Sequence, residues 1–70
     1  MKTENISLID AINYCDEKGY DIIPFEAAKK YRCMIFLNDV FVREGKNEFL
    51  TWFECLKESY YKLYKGLTNG

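Results

Sequence analysis

Six apolar side chains in the last third of the chain, Phe49, Phe53, Leu56, Tyr60, Leu63 and Leu67, recur at steps of four, three, four, three and four. That is the period of a helical packing seam. Trp52, Tyr61 and Tyr64 lie off the seam in the same segment, so a helix built from it carries rings on more faces than a small core covers. Surplus aromatic surface of this kind points to a partner.

Seventy residues make a single small helical interaction domain over 1–70, and a chain this short buries only about 60% of the surface its unfolded form exposes. A composition of 49% hydrophobic and 17% aromatic residues supplies dense packing in place of other reinforcement. The three cysteines, Cys15, Cys33 and Cys55, are far apart and there is no histidine. No zinc-ligand spacing exists, no metal or cofactor is expected, and the thiols read as small buried hydrophobes. Met1-Lys2-Thr3-Glu4-Asn5 is polar and no apolar run approaches the ~20 residues of a membrane span. A cytoplasmic, reduced protein is expected, in the host cytoplasm if phage-encoded.

Ser7 followed by Asp10 has capping-box spacing, and Lys18-Gly19 supplies a helix exit. These predict a first helix over 8–18. Pro24 suits a first helical turn and Asp21 can cap upstream of it, while Phe25, Ala28, Tyr31, Met34, Ile35 and Phe41 can share one broad face. The second helix is therefore placed at 24–44. An alternative is a β-hairpin at 33–42, because Cys33-Met34-Ile35-Phe36-Leu37 and Val40-Phe41-Val42 favour strands and Asn38-Asp39 can turn between them. Strict alternation is missing from both arms, which favours helix. Asn47 as cap and Gly66 as terminus set a third helix at 48–65. The expected fold is all-α, a compact three-helix domain.

Without histidine, Ser–His and Cys–His nucleophile pairs are excluded, and Asp16, Glu17, Asp21 and Glu26 read as a solvated face rather than a catalytic pair. No enzymatic activity is expected. Ten basic and eleven acidic residues give a net charge of −1, so no field draws a polyanion. Lys29, Lys30 and Arg32, with Lys57, Lys62 and Lys65 beside the tyrosines, can touch phosphate, but acids are interleaved among them. Direct nucleic-acid contact is disfavoured, though a small nucleic-acid-binding helical protein stays an alternative. The expected partner-binding residues are Trp52, Leu56, Tyr60, Tyr61, Leu63 and Tyr64, of which Trp52, Leu56, Tyr60 and Leu63 meet helix-in-groove spacing. A symmetric dimer of third helices would cover the same rings.

Ser7-Leu8-Ile9-Asp10-Ala11, then Tyr14-Cys15-Asp16-Glu17-Lys18-Gly19 and Asp21-Ile22-Ile23, resemble the helical core of the late-transcription coactivators of T-even-type phages over residues 7–44. The richness in Lys, Asn, Ile and Tyr fits an AT-biased phage gene. The resemblance implies a helical, phage-encoded protein that binds the flap of the host RNA polymerase β subunit through hydrophobic side chains, modulates transcription and does not read DNA. Those coactivators also carry an acidic, hydrophobic tail for the sliding clamp. Lys65-Gly66-Leu67-Thr68-Asn69-Gly70 departs from that pattern, and Glu48-Phe49-Leu50 is the nearest fragment to it. A further alternative is a phage inhibitor of a bacterial defence nuclease that uses the acids around Asp16, Glu17, Asp21 and Glu26.

Overall fold

A computed structural model describes residues 6–69. The element order is α1 (Leu8–Glu17), β1 (Tyr20–Ala27), β2 (Lys30–Leu37), β3 (Val40–Glu44) and α2 (Trp52–Asn69). The three strands form one antiparallel sheet in the order β1-β2-β3. The architecture is α+β, which corrects the expected all-α, three-helix domain.

The helix expected at 24–44 is replaced by three strands joined by two tight turns. Ala28 and Lys29 (φ 54° and 66°) and Asn38 and Asp39 (φ 51° and 68°) occupy the left-handed region in pairs. Each pair closes a two-residue hairpin, Ala27 facing Lys30 and Leu37 facing Val40, and two consecutive positive φ values are what the type I′ turn requires. Asn and Asp adopt that conformation readily, whereas Ala and Lys do not. Pro24 lies inside β1, an edge strand, where a missing N–H need not break a ladder. The 33–42 hairpin, the alternative on sequence grounds, is present as β2 and β3, with β1 added before it.

Both helices keep the positions expected of them, with shifted ends. Ser7 caps α1, its hydroxyl accepting from the Asp10 N–H at 3.1 Å. Thr51, not Asn47, caps α2, its Oγ1 accepting from the Glu54 N–H at 3.1 Å. Residues 45–50 lie outside the helix because Phe49 forms an antiparallel bridge with Tyr31, each N–H meeting the other's carbonyl at 2.8 Å. Gly66 does not end α2, which continues to Asn69.

The helices pack together on one face of the sheet. The core is Cys15 from α1, Ile22, Cys33 and Ile35 from the strands, and Cys55, Tyr60 and Leu63 from α2, with Ala11 buried beside them. Gly19 joins α1 to this layer at φ 91°, and its carbonyl accepts from the Asn38 N–H at 2.8 Å. A Cβ there would displace the Asn38 side chain, and the positive φ strains any other residue, so glycine suits the helix exit against the β2–β3 turn. No helix among the described residues is long and apolar enough to cross a membrane.

Candidate protein-interaction surface

Alternation along the strands assigns each side chain a face. Tyr20, Ile22, Tyr31, Cys33 and Ile35 point to the helices, where they pack in or against the core. Their neighbours point the other way: Ile23 and Phe25 from β1, paired with Met34 and Arg32 of β2. Phe36 follows on the same side, paired with Phe41 of β3. A bulge between Ile35 and Phe36 leaves Val42 as the extra residue of β3, and this keeps Phe41 beside Phe36 while returning Arg43 to the helix side opposite Ile35. No described element covers the side that Ile23, Phe25, Met34, Phe36 and Phe41 share.

This open face is apolar and electrically balanced. Ile23 is 47% exposed and Phe41 51%, and the Phe36 and Phe41 rings meet edge to face with centroids 5.8 Å apart. The register places Asp21, Lys30, Arg32 and Glu44 on the same side, two acids and two bases that sum to zero. Arg32 Nη2 donates to Glu44 Oε1 across the β2–β3 pair. A five-residue apolar patch with neutralised charge suits the apolar surface of a folded protein.

The six residues expected to form a partner face on the last helix divide between core and surface. Tyr60 and Leu63 are buried, at 7% and 8% exposure. Tyr60's hydroxyl accepts from the Ile22 N–H at 3.4 Å, and burial pushes its pKa up against the lowering effect of that bond. Leu56 packs half-buried against the core. Tyr64 stacks edge to face on Tyr14 at 5.1 Å, and Tyr61's hydroxyl donates to the Ile6 carbonyl at 3.1 Å, so both tie α2 to the chain around α1. Trp52 alone of the six is open, half exposed between Leu50 and Phe53 at the start of α2. Most of the seam thus packs in or against the domain's own core, Phe53 staying exposed beside Leu50 and Trp52, and a second apolar surface lies on the sheet.

The remaining candidate groups are spread out. Asp16 and Glu17 sit at the end of α1, whereas Asp21 and Glu26 alternate to opposite faces of β1. Among the cations, Arg32 is paired as described, Lys30 Nζ lies 3.9 Å from Glu48 and Lys57 Nζ 3.8 Å from Glu58. The three cysteines are buried and free. Burial pushes the Cys15 thiol up to about 11 and raises Cys55, the latter helped by nearby Cys33 and opposed by a hydrogen bond with Ser59. Thiols held protonated in this way are poor nucleophiles. No group of three metal-ligating side chains converges among the described residues.

The chain matches no protein-family model, no curated protein and no solved structure.

Proposed function

We propose that the chain is a non-catalytic, phage-encoded interaction module that docks the open face of its sheet onto a host protein, with RNA polymerase as the partner and transcription as the process modulated. One observation supports the class of function: Ile23, Phe25, Met34, Phe36 and Phe41 share one side of the sheet that no described element covers, with Ile23 and Phe41 exposed and the other three half-buried. Large side chains left in water on one neutral surface are stabilised when a partner removes them from it. RNA polymerase is chosen on the sequence resemblance alone, and the contact surface is the sheet rather than the expected residues Trp52 to Tyr64 of α2.

Purified bacterial RNA polymerase on a biosensor surface tests this with wild-type protein and the Phe41→Ser and Ile23→Ser variants. The expected result is retention of the wild type with little change between low and high salt, and at least tenfold weaker binding of each variant. Retention that collapses with salt would favour an acidic or basic contact instead. No retention removes the polymerase as partner, and equal binding of all three proteins removes the sheet face.

A further inference from the structure

We propose a second site, separate from the open face: the free edge of β3, with the groove between β3 and α2, takes an extended peptide of alternating apolar and acidic residues as a fourth strand.

The two edges of the sheet differ. β1 carries Pro24 at its middle, a guard against strand addition. β3 has no proline, and all five of its residues, Val40 to Glu44, are exposed. Neither helix contacts it, and among the described residues its outer backbone groups have no backbone partner. The bulge at Val42 leaves Arg43 and Glu44 in register with β2, so ladder positions remain on both sides of it. Unpaired strand N–H and C=O groups recognise another extended backbone and nothing else so well.

Because α2 covers β1 and β2 but stops short of β3, a groove of about 1030 Å³ opens between them. Ile35 and Leu63 contribute apolar surface to it, and Arg43, Lys46, Lys62 and Lys65 supply cations. None of those four is in an ion pair among the described residues. Of the two acidic residues at its wall, Glu44 turns its carboxylate to the open face, where it pairs with Arg32, and Glu58 is paired with Lys57. An added strand alternates its side chains between the groove and the open face. Acidic residues on the groove side meet the four cations, and apolar residues on the other side extend the surface of Phe41. Only a period-two peptide satisfies both sides at once.

Fluorescence anisotropy on the full chain tests this with a labelled octapeptide of alternating valine and glutamate. Saturable binding is expected, at least tenfold tighter than that of the valine–lysine peptide. N-methylation of alternate backbone nitrogens, made in both phases, should weaken one phase at least tenfold. Lys62→Glu and Arg43→Glu should do the same with an unchanged circular dichroism spectrum. The proposal is overturned by no saturable binding, by equal binding of the lysine peptide, or by N-methylation without effect in either phase. It is equally overturned if single-stranded oligothymidine binds tighter than the acidic peptide, which would make the groove a polyanion site. Peptide binding without polymerase retention, or the converse, separates this site from the open face.

Discussion

Phe36 and Phe41 meet edge to face across the β2–β3 pair, centroids 5.8 Å apart, on the side of the sheet away from both helices. Each ring shelters part of the other, yet Phe41 remains 51% exposed. The contact contributes to the hairpin on the scale of a cross-strand aromatic pair, about 0.5–1 kcal/mol.

Phe41, half in water, should contribute less to folding than a core residue does. Phe41→Ser is expected to lower unfolding free energy by about 1–2 kcal/mol, read from the urea midpoint. Leu63→Ala, in the core contributed by α2, should cost about 2–4 kcal/mol in the same experiment. Comparable losses for the two variants would mean that the sheet face is packed like an interior.

The β1–β2 turn is built from residues that resist its conformation. Replacing Ala28-Lys29, both at positive φ, with Asn-Gly matches the type I′ preference and should raise stability by about 1 kcal/mol. An unchanged or lower urea midpoint would contradict the turn assignment.

The same two turns explain how much of the fold was legible. Helix α1 declares itself through Ser7 and Gly19, and α2 through its four-three seam. Asn38-Asp39 signals a turn, but Ala28-Lys29 carries no such signal and fits a helix face as well as a hairpin tip. Strand β2 concealed itself more thoroughly. Cys33 and Ile35 face the core while Met34 and Phe36 face outward, so the strand shows no polar alternation. The missing alternation, which argued for helix, is itself the signature of a sheet with apolar residues on both sides. The candidate site was therefore misplaced onto α2, where a single helix wheel cannot show that α1 covers Tyr64 or that Tyr60 lies under Ile22.

Gly66 lies inside α2, and a Cβ there would meet nothing within 4 Å. Gly66→Ala removes the backbone-entropy penalty of a helical glycine without a clash, and a gain of about 0.5–1 kcal/mol is expected. Thermal unfolding followed by circular dichroism reads it as a higher midpoint. A loss would place the end of α2 at Gly66.

Alkaline pH should destabilise the fold through its buried acids. Burial raises Cys15 from 9.0 to about 11 and pushes Cys55 and Tyr60 upward as well. In the unfolded chain these groups ionise at ordinary values, so above pH ~9 the unfolded state binds fewer protons than the native state. The stability they contribute is complete below that pH and is lost as pH rises through the native values. A fall of about 2 kcal/mol between pH 9 and 11 is expected from Cys15. Urea midpoints at each pH check it, and Cys15→Ala should flatten the slope. A slope unaffected by that change would show that the thiol ionises freely in the native protein.

Solvent paramagnetic relaxation of side-chain methyl groups, recorded with a soluble gadolinium chelate at protein concentrations where sedimentation shows a monomer, tests most directly where the free apolar surface lies. Strong relaxation of the Ile23 and Met34 methyls is predicted, with weak relaxation of those of Ile22, Ile35 and Leu63. Protected Ile23 and Met34 methyls beside strongly relaxed Leu63 methyls would return the contact surface to α2 and contradict the account.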